Sequence, residues 1–237
     1  MAASGYQEMK DFSALYSQKG AYHHQASGFK AWFLDDNYRA IAAECPARAT
    51  ILDLACGEGC LGPYLPRPLW LIGVDHSTEA LELNHRLYPG LYDELLLGDL
   101  RRLELLGLQP ASFDVIVCSL SLMYLLPEDL PGCLSQIHSL LASGGLFILT
   151  YPTLGPHRAA SAEAAELKPL ELKESLGQAG FSIEKMVPIC PFLPRRLVEA
   201  SQRPEGQEEA LAAYQQAKAA MQLEESYHFL IRARRRK

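Results

Sequence analysis

No apolar run in this chain approaches the length needed to span a membrane, and none of its six cysteines stands in a C-x-x-C pair. The first absence argues against a helical membrane protein, the second against a zinc ribbon or a dithiol redox site. Positive charge is scarce as well. The chain has 22 Lys and Arg against 28 Asp and Glu, a net charge of −6. Five of those bases crowd into residues 232–237, which leaves 17 against 28 for the remainder. Such a chain is not built to wrap nucleic acid or to lie on an anionic membrane, and its short basic tail is expected to be a solvated end. The opening Met1-Ala2-Ala3-Ser4-Gly5-Tyr6 lacks a basic stretch followed by an apolar one, so a cytoplasmic protein with reduced, partly buried thiols is expected. No repeat or low-complexity tract is present, and no metal site is expected.

What is present is enough for one α/β domain: 237 residues, of which 49% are hydrophobic. Its centre is Ile51-Leu52-Asp53-Leu54-Ala55-Cys56-Gly57-Glu58-Gly59-Cys60-Leu61-Gly62, an apolar run ending in an acid, then glycines, then a helix-like pattern. It reads as strand, tight turn and helix. Gly57 and Gly59 let the backbone turn sharply and let a ligand lie against it, with the free N–H groups of the next helix facing that ligand. Gly57, Gly59 and Gly62 also match the dinucleotide fingerprint G-x-G-x-x-G. A pyrophosphate wants bare N–H groups, however, whereas Asp53 ends this strand and Glu58 opens the helix. Carboxylates in those places suit a cationic ligand.

The same plan recurs along the chain. Residues 69–75 form an apolar run ending in Asp75, followed by His76 and by Ser77, a fair N-cap for a helix over 78–88. Residues 95–99 end in Asp99, residues 113–118 supply a fourth strand, and 146–151 a fifth after Ser143-Gly144-Gly145. Asp53, Asp75 and Asp99 fall 22 and 24 residues apart, one strand-helix unit each. Right-handed crossovers between parallel strands bring all three acids to one rim, where open α/β sheets bind their ligands. A helix is predicted over 130–141 and another over 170–179, stopped by Gly180. Residues 181–187 and 226–232 read as the last two strands. Between them, Pro191, Pro194 and Pro204 precede a helix around 208–223, so about 190–224 reads as an added helical cap or an oligomer contact. Ahead of the centre, residues 6–45 mix aromatics with amphipathic stretches. Tyr22, His23 and His24 in a row cannot all face inward, so at least one should reach solvent or a cleft.

Asp53 four residues before Gly57, with Gly59 and Asp75, resembles motif I and the following acid of the class I S-adenosylmethionine (SAM) methyltransferases, whose cofactor carries an ammonium and a sulfonium. The resemblance covers roughly residues 48–151. It implies a Rossmann-like, seven-stranded, mostly parallel α/β sheet with helices on both faces and the last strand antiparallel. It implies an N-terminal helical lid over residues 1–45 and a core over 46–237. It also implies a cofactor site at Asp53, Ala55, Gly57, Gly59, Asp75, His76, Asp99, Leu100 and Cys118. Asp75 would accept both ribose hydroxyls, Asp99 the adenine amino group beside the Leu100 N–H, and Asp53 would sit near the methionine end. Methyl transfer to an N, O or C atom of a small molecule follows, by a monomer or homodimer that needs neither nucleic acid nor membrane. Tyr22, Tyr124 and His157 are the candidates for work on the acceptor, with His23 and His24 beside them. A nicotinamide-dependent oxidoreductase, or a non-catalytic protein of the same fold that binds a partner, remains an alternative at this stage.

Overall fold

The computed structural model describes residue 16 and residues 23–153, 167–223 and 226–236. Seven strands form one sheet: β1 (Thr50–Leu54), β2 (Trp70–Asp75), β3 (Glu94–Leu97), β4 (Phe113–Ser119), β5 (Leu141–Pro152), β6 (Phe181–Pro191) and β7 (Ser226–Arg235). Their order is β3-β2-β1-β4-β5-β7-β6. The first five are parallel, and β7 runs antiparallel to both β5 and β6. The expected Rossmann-like sheet with its reversed last strand is borne out.

The near-continuous apolar character of the strands has a direct cause. Ile51, Leu71, Val115, Val117 and Ile148 face one side, packed with Leu34, Tyr38 and Ile41 of helix α1 (Gly28–Glu44). Leu52, Leu54, Ile72, Val74, Ile116 and Phe147 face the other, with Leu134 and Ile137 of α3 (Leu130–Leu140) and Leu172 and Leu176 of α4 (Pro169–Gln178). Alternate residues on a strand point to opposite faces, so a sheet covered on both sides needs apolar residues at almost every position. Helix α2 (Thr78–Leu87) follows β2, and the Ser77 Oγ caps it by accepting from the Ala80 N–H at 3.2 Å, as its sequence predicts.

Two expectations are corrected. No α-helix follows the glycine turn: after Gly62 the chain makes only a single 3₁₀ turn, Gly62–Tyr64. Pro66 and Pro68 remove donors that a longer helix would need, and Leu65, just before Pro66, is already in extended backbone, φ −67° and ψ 137°. The basic tail is also not a free end, because Arg232, Arg234 and Arg235 lie within β7. Arg232 pairs with Glu44 and Glu184, Arg234 pairs with Glu184, and the Arg235 guanidinium donates to the Leu141 carbonyl.

The stretch between β6 and β7 carries α5 (Arg195–Ala200) and α6 (Gln207–Ala219), both packed within the chain against α1. Phe29 and Trp32 of α1 meet the Tyr214 ring at 5.9 and 5.7 Å, and the Tyr214 O–H donates to Asp36 at 2.6 Å. The Phe29 N–H donates to Ser201 Oγ at 2.9 Å, which ties the start of α1 to the end of α5. No described helix is long and apolar enough to cross a membrane.

Candidate active site

The carboxyl ends of β1, β2 and β4 open onto a cavity of about 560 Å³, within the roughly 300–1,000 Å³ usual for small-molecule sites. The turn after β1 forms its floor. Ala55 and Gly57 both adopt positive φ there, 55° and 53°, a conformation that costs Ala55 energy and that Gly57 takes without strain. A Cβ at Gly57 would lie 2.7 Å from the Tyr16 O–H, so this glycine lets Tyr16 close over the turn. Gly59, at φ 81°, serves packing instead: its Cβ would strike the Asn84 side chain at 2.5 Å, and it does not line the cavity.

Asp75 ends β2 with its carboxylate held in place. Oδ2 accepts from the Gly57 N–H at 2.8 Å, and Oδ1 accepts from the Ser77 N–H at 2.9 Å. Each oxygen keeps a further acceptor position, which leaves Asp75 able to take two more donors. His76 stands beside it, Nδ1 to Oδ1 3.5 Å, and also lines the cavity. Asp53 is 2% exposed and accepts from the Tyr92 O–H at 2.7 Å. Burial, opposed by that hydrogen bond and reinforced by Asp75, pushes the Asp53 carboxyl up to about 7.

The other expected residues divide. Ala55, Leu100 and Tyr124 line the cavity with Asp53, Gly57, Asp75 and His76. Cys118, within β4, is fully buried in the core. Asp99 does not line the cavity: its carboxylate accepts from the Arg101 backbone N–H at 2.8 Å and from its Nε at 2.9 Å. Burial would raise the Asp99 pKa, but these contacts outweigh it and hold the group below the usual carboxylate range. Tyr22 and His157 lie outside the described residues. His23 lines the cavity and His24 is exposed, as the crowding of that triplet requires. Burial and then the Lys30 charge lower His23 to about 4, so it is neutral at physiological pH.

Glu58 faces a different partner from the one its charge suggests. Its Oε1 accepts from the His23 backbone N–H and from the His24 N–H at 2.7 Å, so this carboxylate pins the segment leading into α1 beside the glycine turn. Burial raises its pKa against the pull of those two donors. Loss of two charge-assisted bonds should therefore loosen the segment. In Glu58→Ala, amide hydrogen exchange at His23 and His24 is expected to speed up by about ten- to a hundred-fold, while the amides of β1 and β4 hold their rates. Unchanged exchange at both residues would contradict the pinning role.

Opposite the turn is a polar network that the sequence did not disclose. The Asn37 Nδ2 donates to Ser119 Oγ at 2.9 Å, Asn37 Oδ1 lies 3.0 Å from His228 Nε2, and Ser119 Oγ lies 3.4 Å from Thr150 Oγ1. Asn37 and His228 are fully buried. Phe33 stacks against His228 at 4.4 Å and meets Tyr227 at 5.5 Å, which gives this half of the cavity an aromatic wall. The one signal in the sequence is polarity out of place: an Asn on the apolar face of α1 and a His inside an apolar strand.

Comparison with known proteins agrees with this layout. Residues 51–145 match the family model described as a methyltransferase domain. The chain is 29% identical over 124 residues to a carboxy-S-adenosyl-L-methionine synthase of Stutzerimonas stutzeri, covering 48% of this chain and 50% of that protein. It is 34% identical over 98 residues to the mouse mitochondrial arginine-hydroxylase NDUFAF5, covering 41% of this chain and 27% of that one. The chain thus spans half or less of the length of these curated relatives. A SAM-dependent methyltransferase from Mesorhizobium loti shares the fold, with a TM-score of 0.59 at 22% identity over 84% of this chain and 98% of the other.

Proposed function

From the premise that this chain carries a class I SAM-dependent methyltransferase domain, we propose that it binds SAM in the cavity above β1 and β2 and methylates a small-molecule acceptor. The observation that carries the reading is the pair of acids on the rim, Asp53 buried and Asp75 held by two backbone N–H groups, facing one glycine turn. The cradle fits the cofactor at three points. Gly57 lines the cavity and leaves room for Tyr16 to close over the turn, Asp75 has acceptor capacity for two ribose hydroxyls, and Asp53 is a buried carboxylate suited to an ammonium. Above about pH 7, where Asp53 is ionised, a pyrophosphate would meet that same carboxylate as a like charge, which counts against the nicotinamide alternative.

When bound, SAM supplies a methyl group on a positively charged sulfur, open to in-line displacement. The chain's own residues bind and orient. Asp75 fixes the ribose, Asp53 the ammonium, and the wall at Gly98 and Leu100 borders the adenine. Asp99 is left out of this assignment, because Arg101 already occupies its carboxylate. Tyr16 lines the cavity over the turn and excludes water. On the far side Tyr124, Ser119 and Tyr227 bound the space for the acceptor. Such positioning can supply about 7–11 kcal/mol of the barrier, so little covalent chemistry is asked of the protein.

The size of the cavity and the acidic balance of the chain favour a small metabolite over a protein or a nucleic acid. Six free, buried thiols suit a reducing compartment, and we place the reaction in the cytoplasm. Incubation with methyl-labelled SAM and a fractionated metabolite extract tests the reading. Label should enter a small-molecule fraction in the presence of the protein. Label only in macromolecules, or none from an extract that supports a control methyltransferase, would count against it.

A further inference from the structure

Tyr92 reaches the carboxylate of Asp53 through a slot made by two glycines. A Cβ at Gly62 would lie 2.7 Å from Leu91 Cδ2 and 2.9 Å from Tyr92 Cε2, and a Cβ at Gly73 2.8 Å from Leu95 Cδ2 and 2.9 Å from Tyr92 Cδ1, so a side chain at either position would crowd the ring together with the leucine beside it. The backbone of its neighbour is fastened to β2. Asp93 donates its N–H to the Leu71 carbonyl at 2.8 Å and accepts the Leu71 N–H on Oδ2 at 2.7 Å. The ring therefore enters the core at a fixed angle, 7% exposed, and its O–H ends 2.7 Å from Asp53 Oδ2.

Around Asp53 stand Asp75 from β2, Tyr38 from α1, Cys45 at the end of α1, Cys56 in the glycine turn and Cys118 from β4. None of these groups is a cation. Lys30 lines the same cavity, but Asp75 is the charged group that bears on Asp53, and burial beside that second carboxylate lets Asp53 hold its proton up to about pH 7, to be drawn off as a cation enters. The Tyr92 O–H is the group that favours the ionised form, and it acts from outside the cavity, since Tyr92 is not among the residues that line it.

We propose that Tyr92 is a positioning residue that holds Asp53 toward the cavity and sets the pH at which a ligand ammonium can bind there, the proton of Asp53 passing to solvent as the ammonium enters. This rests on the SAM reading of the same cavity. It adds a proton to the binding equilibrium, and it gives Gly62 and Gly73 a shared task in making room for one ring.

Calorimetric titration with SAM and S-adenosylhomocysteine from pH 5.5 to 8.0, in two buffers of different ionisation heat, tests the proposal. Wild-type affinity should fall toward ten-fold per pH unit below a midpoint near the Asp53 value of about 7, with net proton release there. In Tyr92→Phe, which refills the slot with the same ring, the midpoint should rise by about one pH unit or more, and affinity at pH 7 should drop about ten-fold. Asp53→Asn should bind more weakly and without the acid limb. An independent readout uses the ligand-free protein: the melting temperature of Tyr92→Phe should lie further below wild type at pH 8 than at pH 5.5. Flat wild-type affinity across the range, or a Tyr92→Phe midpoint unchanged from wild type, would overturn the proposal and leave the cofactor reading standing. Failure of the wild type to bind either ligand at any pH would overturn both.

Discussion

Asp75→Ala should weaken the binding of SAM and S-adenosylhomocysteine by at least about 100-fold, the largest single loss expected in this site. Two ribose hydroxyls would donate to a carboxylate that is already fixed by the Gly57 and Ser77 N–H groups at 2.8 and 2.9 Å. Hydrogen bonds to a charged group contribute about 1.5–3 kcal/mol each, so two together reach a hundred-fold or more. The substitution also leaves two N–H donors without an acceptor beside a strained turn. The melting temperature of the ligand-free protein should therefore fall by several degrees, at about 2–4 °C per kcal/mol for a chain of this size. Titration calorimetry and a thermal melt of the same sample measure the two effects. Wild-type affinity in a variant that still folds would remove Asp75 from the site.

Asp53→Asn should move affinity and stability in opposite directions. The Asp53 carboxyl is ordinarily half-ionised near pH 3.8 and is pushed up to about 7 here, mainly by burial. Between those values the unfolded chain has released its proton while the folded chain keeps it. The folded state therefore binds more protons, and the stability contribution of this group, complete below about pH 4, is lost as pH rises to about 7. At 1.36 kcal/mol per pH unit the loss over those roughly three units is about 4 kcal/mol. Asparagine carries no charge to desolvate and still accepts from Tyr92. The ligand-free variant should accordingly melt about 8–16 °C above wild type at pH 8 and at the same temperature near pH 4, while its affinity for SAM falls about ten-fold or more. A melting temperature at pH 8 no higher than that of wild type would mean that the buried carboxylate is not under the strain inferred here.

The parts of this fold that were legible in the sequence are those written in short-range spacing. The 22- and 24-residue intervals between Asp53, Asp75 and Asp99 report one strand-helix unit each, and the apolar runs ending in those acids report strands covered on both faces. Ser77 announced a cap, and it is one. What was not legible depends on partners distant in sequence. Glu58 reads in the sequence as the acid that opens a helix and suits a cationic ligand, yet its partners are the backbone amides of His23 and His24, which no side-chain pattern announces. Asp99 looked equivalent to Asp75, but an arginine two residues on takes its carboxylate. Gly62 completed a dinucleotide fingerprint by spacing alone, whereas its physical role is to make space for Leu91 and Tyr92. His228 comes to Asn37 across 191 positions, a contact set by the reversal of β7. The missing helix after the turn is a different kind of error. Pro63, Pro66 and Pro68 stand in the sequence directly after the helix-like pattern that follows the glycines, and they stop it at a single 3₁₀ turn.

The central claim is that the glycine turn and its two acids select a cationic cofactor over a pyrophosphate. Titration of the wild-type protein with SAM, S-adenosylhomocysteine, NAD and NADP in one calorimetric series at pH 7.5 tests it most directly. Saturable binding of SAM and S-adenosylhomocysteine, with no heat of binding for either nicotinamide cofactor, is the predicted result. Tighter binding of NAD than of SAM, or no binding of SAM at all, would contradict it.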